Sequence, residues 1–174
     1  ICPWEGFSDF YQDLGRPGGI REDGFVIMWG KLIAPYVREQ QYNHLLRDEW
    51  YKSLCADLKK ITVPALICGS FSDHCLHTRG SYRLFNQISS KHKWLYTHRE
   101  GKWAAYYSKE ALTFQLKFFD YFLRGYGNDM LSISPVRLEV RENRDKITEV
   151  SYHNSWPIPS TKWQSLYLDA NSMN

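Results

Sequence analysis

One uninterrupted apolar stretch constrains the fold of this chain more than any other feature. The run Val63–Gly69 contains no polar side chain, has Pro64 near its start and ends at a glycine. A strand that is buried on both faces has this pattern, because a parallel sheet is covered by helices on each side. The sequence therefore predicts a parallel sheet inside an α/β domain.

The residues after this strand alternate between helical and strand patterns. Apolar residues at a helical step predict a short helix over residues 78–90, and a second strand follows at residues 93–97. Ser108 is a good N-cap for a strongly amphipathic helix, and Gly125 follows the last turn of that helix. Strand, helix, strand, helix is the order of an α/β fold, in which a crossover helix makes the two strands parallel.

The first sixty residues have weaker patterns. Glycine and proline are frequent in the first forty residues, which are predicted to form a loop around one apolar segment at Val26–Trp29. From Asn43 onward, apolar residues recur every three or four positions. This period predicts a helix over residues 44–60, with Asn43 as its N-cap and Trp50 on its buried side.

The pattern changes from helical to alternating beyond about residue 132. Residues 136–141 and 148–152 alternate between apolar and polar side chains, as half-buried antiparallel strands do, and Leu166 and Leu168 mark a third strand. Three strands in the last forty or so residues predict the beginning of a β-sandwich.

Composition excludes several functional classes. The net charge of the 174 residues is +3 and no run of Lys or Arg exceeds two, so no nucleic-acid partner is predicted. No apolar run approaches the roughly 18 residues of a membrane span, so no membrane partner is predicted. The four cysteines are too sparse for a disulfide framework and no N-glycosylation sequon occurs, which favours a cytoplasmic location.

Two polar loops follow the two predicted strands of the parallel sheet. Asp73 lies in the first loop and His98 lies at the start of the second. Because parallel strands end at the same sheet edge and neighbours lie about 4.8 Å apart, the two side chains are expected to meet. An Asp beside a His is the supporting half of a hydrolytic triad, and the order acid then base is that of the α/β-hydrolases.

Several segments resemble one family in the same order along the chain. Residues 61–73, ITVPALICGSFSD, resemble the acid-bearing segment I-x-V-P-x-L…G-x-x-x-D of the cocaine-esterase-like and X-prolyl dipeptidyl-peptidase-like hydrolases. Residues 97–108 resemble the His-bearing loop of this family, and residues 115–125 resemble the helix that closes its hydrolase domain. The residues from Pro135 onward are similar to the start of its carboxy-terminal jelly-roll domain.

The resemblance implies a serine hydrolase that cleaves ester or amide bonds, such as acyl esters or X-Pro peptides, without a cofactor. Asp73 and His98 match the acid and the base of the family, but the chain contains no Gly-x-Ser-x-Gly nucleophile motif. We therefore expect the nucleophile, the oxyanion hole and the first strands to precede Ile1, so that the chain by itself is inactive. The implied partner is a small ester or amide or a short peptide, and a homo-oligomer is left open.

The resemblance also divides the chain. Residues 1–132 correspond to the C-terminal part of an α/β-hydrolase domain, with a short cap over about residues 10–60. Residues 133–174 correspond to the beginning of the jelly roll. Trp29 from the cap region, and Lys102 and Trp103 from the His-bearing loop, are expected to contact the substrate.

Three alternatives remain open at this stage. His74, Cys75 and His77 have the spacing of metal ligands, although no second pair of ligands stands out in the sequence. Cys75 could be a nucleophile activated by a nearby His, but it follows the acid, which is the wrong order for this fold. The chain could also be a non-catalytic binding or structural module, which an upstream segment without a nucleophilic serine would favour.

Overall fold

A single mixed sheet organises the computed structural model, which describes residues 1–32, 35–72, 77–143 and 145–167. Its strand order is β1-β2-β3-β4, with β1, β2 and β3 parallel and β4 antiparallel to β3. On the other side of β1, the first residues of the chain run parallel to it through a bridge between Trp4 and Cys68. The strands are β1 (Ala65–Ser70), β2 (Lys93–His98), β3 (Val136–Arg141) and β4 (Ile147–His153).

Helices pack on both faces of this sheet. On one face, β1 and β2 pack against Phe114 and Phe118 of a long helix; on the other face, they pack against Phe85 of a shorter one. All six residues of β1 are buried, so the predicted doubly covered strand and α/β class are confirmed. The α-helices are α1 (Phe25–Leu32), α2 (Pro35–Asn43), α3 (Glu49–Ser53), α4 (Thr78–Gln87), α5 (Lys102–Tyr106) and α6 (Lys109–Phe122); shorter turns are a π-helix at Tyr11–Gly15 and 3₁₀-helices at Pro17–Gly19, Leu58–Lys60 and Met130–Ser132.

Helix α6 begins and ends as the sequence predicts. The Ser108 Oγ accepts a hydrogen bond from the Ala111 N–H, and this cap begins α6. Gly125 lies just past the end of α6 in the left-handed conformation, with φ 69°, which glycine adopts at little steric cost. Helix α4 follows β1 and precedes β2, so all three elements of the predicted strand–helix–strand unit are present, although the helix ends at Gln87 rather than at residue 90.

The first sixty residues differ from the prediction. Helices α1 and α2 occupy a region that was predicted to be loop, and Asn43 ends α2 rather than capping a later helix. The predicted helix over residues 44–60 is wrong as well, because two aspartates start separate turns inside it. Asp48 accepts from the Tyr51 N–H to begin α3, and Asp57 accepts from the Lys59 N–H to begin a 3₁₀-helix. Side-chain capping therefore overrides the apolar period in this region.

Strand β3 also differs from the expected arrangement. It pairs in parallel with β2, at Leu95 with Val136 and Tyr96 with Arg137, so it extends the first sheet instead of starting a new one. Alternation reports which face of a strand is buried but not which neighbour it joins. The antiparallel pairing of β3 with β4 is confirmed. Residues 163–167 form no strand, Leu168 lies outside the described residues, and the jelly roll stays a prediction.

Within the described ranges, none of the helices has the length and apolar character needed to cross a lipid bilayer.

Helix α4 lies so close to the N-terminal segment at Gly80 that we expect only glycine to fit at this position. A Cβ atom on Gly80 would lie 2.7 Å from the Phe7 Cα and 2.8 Å from the Ser8 backbone nitrogen. Backbone atoms cannot give way easily, so we expect Gly80→Ala to destabilise the protein by about 1–3 kcal/mol. Thermal unfolding followed by circular dichroism measures this as a lower melting temperature.

Gly30 in α1 provides the matched control, because a Cβ there would have no neighbour within 4 Å. Alanine is a better helix former than glycine, so Gly30→Ala should stabilise the protein by up to about 1 kcal/mol. A Gly80→Ala protein that melts at or above the wild-type temperature would show that the two segments are not in close contact.

Candidate active site

The loops after β1 and β2 are joined at the carboxyl edge of the sheet. The two strands end in register, with Ser70 paired to His98. Directly beyond them, the Phe71 N–H donates to the His98 carbonyl at 2.8 Å, and the Ser72 hydroxyl donates to the Glu100 carbonyl at 3.0 Å. The loop that leads to Asp73 therefore lies against the loop that begins at His98. Asp73 itself lies outside the described residues, so its contact with His98 stays a prediction.

Strand β3 holds the His-bearing loop from the other side. The Arg141 guanidinium donates to the Glu100 carboxylate at 2.6 Å, and it also contacts Glu139 on its own strand. The Glu139 N–H donates in turn to the Thr97 hydroxyl at 3.0 Å, one residue before His98. Bonds from both neighbouring strands thus fix the backbone around His98.

The His98 side chain is almost fully enclosed, with 2% of its surface exposed. Its ring stacks on the Trp4 indole, with ring centroids 6.1 Å apart and planes at 25°. Its Nε2 atom lies 2.8 Å from the Glu5 Oε1 atom, although the N–H direction is not aligned for a regular hydrogen bond. Among the described residues, no hydroxyl and no aligned hydrogen bond reaches either ring nitrogen. The structure therefore places a carboxylate beside the predicted base.

Glu5 is the residue of this site that the sequence did not reveal. It lies at the end of the short segment that runs parallel to β1, and its N–H donates to the Cys68 carbonyl at 3.2 Å. Its φ of 55° is in the left-handed region, which is uncommon for any residue except glycine. The segment is too short and too irregular for a strand pattern, so no signal in the sequence placed its end at this edge.

The three predicted substrate contacts lie in different environments. The Lys102 Nζ atom is 3.4 Å from the Glu5 Oε2 atom and 3.4 Å from the His77 Nδ1 atom, so it belongs to the cluster around His98. Trp103, the next residue, is 70% exposed and stacks on Tyr107. Trp29 instead packs, partly buried, on a separate apolar cluster that includes Val26 and Tyr51. The structure brings Lys102 and not Trp29 to the His98 cluster.

One buried trio has the composition of a metal site. Ligand atoms of Glu5, Cys68 and His98 lie within 4.8 Å of one another, and all three residues are buried. Burial, together with the nearby Glu5 carboxylate, raises the pKa of the Cys68 thiol well above its usual range. A metal ion binds the thiolate rather than the thiol, so an ion bound by this trio would have to displace the Cys68 proton.

The metal and nucleophile alternatives at the end of β1 depend on residues that the structure does not describe. His74 and Cys75 lie outside the described ranges, and only His77 of that motif is described. The described residues are arranged to assist a histidine that acts as a base. A carboxylate beside an imidazole determines the tautomer of the ring and stabilises the imidazolium that forms when the ring takes up a proton.

Comparison with solved structures identifies close relatives of this architecture. Two crystal structures of a CocE/NonD family hydrolase from Staphylococcus aureus match 98% of the chain, at 35% and 34% sequence identity and with TM-scores of 0.92 and 0.93. Each match covers 32% of the relative, so the present chain spans about a third of its length. No protein-family model and no curated protein sequence matches the chain. The predicted resemblance to cocaine-esterase-like hydrolases is confirmed.

Proposed function

The chain is a relative of the CocE/NonD family hydrolases, and we propose that it forms part of a serine hydrolase that cleaves ester or amide bonds. In this proposal His98 is the general base, Asp73 is the supporting acid, and the nucleophilic serine lies on a segment before Ile1. The observation that carries the proposal is the pair of hydrogen bonds from Phe71 and Ser72 to the His-bearing loop, because these residues directly precede Asp73.

The proposed reaction follows from the position of His98. The imidazole removes the proton of the serine hydroxyl as the serine oxygen attacks the carbonyl carbon of the substrate. The resulting imidazolium then gives this proton to the leaving alcohol or amine, and the same two steps with water release the acid product. Carboxylates near the ring lower the free energy of the imidazolium, and the enclosed position of His98 strengthens that interaction.

The substrate is proposed to be a small ester or amide or a short peptide that binds beside the His-bearing loop. Trp103 and Tyr107 together expose a stacked aromatic surface next to Lys102, which fits an apolar acyl group with a polar or anionic neighbour. This arrangement supports a substrate role for Lys102 and Trp103, whereas the position of Trp29 in the separate apolar cluster does not.

Exposed apolar residues at positions 163–167 support the proposal that further structure covers this part of the chain. Trp163, Leu166 and Tyr167 are each more than four-fifths exposed. Large apolar side chains in one short segment are typical of a surface that other structure covers. We propose that residues from 133 onward lead into the jelly-roll domain implied by the family resemblance.

A covalent probe tests the proposed chemistry. A fluorophosphonate reacts with an activated serine, so the full-length protein should bind one equivalent, and peptide mapping should place it on a serine outside residues 1–174. Heat-denatured protein is the control, because an unfolded serine is not activated. Absence of labelling in an otherwise folded protein, or labelling of Ser70 or Ser72, would contradict the proposal.

A further inference from the structure

We propose that Glu100 is a positioning residue for His98: it joins the loop that carries the base both to the loop that leads to Asp73 and to strand β3, and so keeps the base beside the acid. The inference deepens the proposed function, on which it rests, by making β3 part of the framework of the active site. Glu100 acts through the backbone of its own loop and is not assigned a contact with the substrate.

Glu100 is bonded to both neighbouring segments through two different groups. Its backbone carbonyl accepts a hydrogen bond from the Ser72 hydroxyl at 3.0 Å, in the loop after β1. Its carboxylate accepts a hydrogen bond from the Arg141 guanidinium at 2.6 Å, at the end of β3. His98 is two residues earlier in the chain. The loop that carries the base therefore cannot move away from either neighbour without losing one of these bonds.

The Ser72 contact is anchored on strand β1. The Ser72 hydroxyl lies 2.7 Å from the hydroxyl of Ser70, the last residue of β1, and the Ser72 N–H donates to the same Ser70 oxygen at 3.1 Å. A hydroxyl has one hydrogen to donate, so Ser70 is the donor to Ser72 when Ser72 donates to Glu100. Ser70 itself is fully buried. A chain of hydrogen bonds thus runs from the buried end of β1 to the Glu100 carbonyl.

Arg141 is held in place at the other end of the connection. Its side chain is 6% exposed and pairs with the carboxylate of Glu139 on the same strand, which is 4% exposed. The planar guanidinium presents its N–H groups in a fixed fork, whereas a lysine ammonium is a point charge on a flexible stem. Arg141 therefore binds Glu139 through Nε and Glu100 through a terminal nitrogen at the same time.

Exposure separates an effect on position from an effect on stability. The Glu100 side chain is 56% exposed, so its ion pair with Arg141 contributes little to the free energy of unfolding. Catalysis is more sensitive, because a displacement of about 1 Å in a catalytic group can lower a rate by roughly a hundredfold. Loss of the Glu100 carboxylate should therefore reduce kcat far more than it reduces the melting temperature.

Steady-state hydrolysis of an uncharged chromogenic ester by the full-length protein tests the assignment. We expect Glu100→Ala, which keeps the backbone carbonyl and removes the carboxylate, to lower kcat roughly tenfold or more and to leave KM within about twofold. Glu100→Gln retains a side-chain oxygen that can accept from Arg141, so it should recover at least about threefold of that loss. A purely structural role would lower the melting temperature and leave the kcat of the folded protein unchanged.

Glu142 is the matched control, because it is 55% exposed and pairs with Lys146 beside the end of β3. A Glu142→Ala protein loses an ion pair of similar exposure that does not reach the loop of His98, so it should keep the wild-type kcat. A wild-type kcat in a folded Glu100→Ala protein, or an equal loss of kcat in Glu142→Ala, would overturn the inference.

A double-variant cycle tests whether Glu100 acts through β3. Arg141→Lys keeps the charge but not the fork, so it should lower kcat about as much as Glu100→Ala does. The protein with both replacements should lose no more activity than either single variant, because both remove the same contact. Losses of kcat that multiply in the double variant would show that the two residues act independently and would refute the role of the pair.

The two proposals fail in different ways. If His98→Ala retained activity, the triad assignment and the proposed function would fail. If His98→Ala lost activity and Glu100→Ala did not, the role of Glu100 alone would be refuted.

Discussion

Replacement of His98 by alanine in the full-length protein is expected to lower kcat/KM by roughly a thousandfold or more. The variant removes the only group that the proposal allows to take the serine proton, while the residual rate comes from substrate binding and the oxyanion hole.

The replacement Asp73→Asn keeps the shape of the side chain and removes its charge, and it should lower kcat/KM by roughly a hundredfold or more. Hydrolysis of a chromogenic ester measures both.

His92 provides a matched control at the opposite end of β2. It lies just before β2, at the opposite end from His98, and its ring contacts Trp94 and Phe122. A His92→Ala protein should therefore keep the wild-type kcat/KM. Wild-type activity in either a folded His98→Ala or a folded Asp73→Asn protein would refute the corresponding assignment.

Replacement of Phe118 by alanine is expected to destabilise the protein by about 3–5 kcal/mol. Phe118 is 1% exposed in the core between α6 and the sheet, and its ring packs edge-on against Trp94, with centroids 6.1 Å apart. The smaller side chain leaves a cavity that the sheet cannot close, because β1 and β2 are held by their parallel pairing. The shift in the midpoint of urea unfolding measures the loss.

Leu116 on the same helix is the control for this prediction. It is 62% exposed, so Leu116→Ala should change the free energy of unfolding by about 0.5 kcal/mol or less. If Phe118→Ala cost no more than Leu116→Ala, the core between α6 and the sheet would not be as tightly packed as the structure indicates.

The parts of the fold that could be predicted are those with a strong local pattern. The apolar run of β1 identifies a strand covered on both faces, and the Ser108 cap with the helical period after it identifies α6. The period did not identify the buried face of α6, because Phe114 and Phe118 face the sheet while Leu116 is exposed. Parallel strands joined by a helix then bring the ends of β1 and β2 together, so that Phe71 lies against His98 at the predicted sheet edge, while the contact of Asp73 with His98 stays a prediction.

The incorrect predictions have a common cause: the structure of these segments depends on contacts with other residues as well as on their own apolar pattern. Residues 44–60 have a helical period, yet the Asp48 and Asp57 side chains compete for the backbone and break it into short turns. Strand β3 has the alternation of an antiparallel strand, and its antiparallel neighbour is present, but its other edge pairs with β2. The spacing of apolar residues indicates neither the capping by these aspartates nor the strand with which β3 pairs.

The sequence by itself determined the covered strand, the two principal helices and the edge at which the loop after β1 meets the loop that begins at His98, because each follows from a local pattern and the direction of parallel strands. Only the tertiary structure decided that Glu5 faces the same imidazole. That contact joins residues more than ninety positions apart through the pairing of a short N-terminal segment with β1. Such a pairing depends on which edge of the folded sheet is free. The side chains of residues 1–5 do not indicate which strand the segment joins.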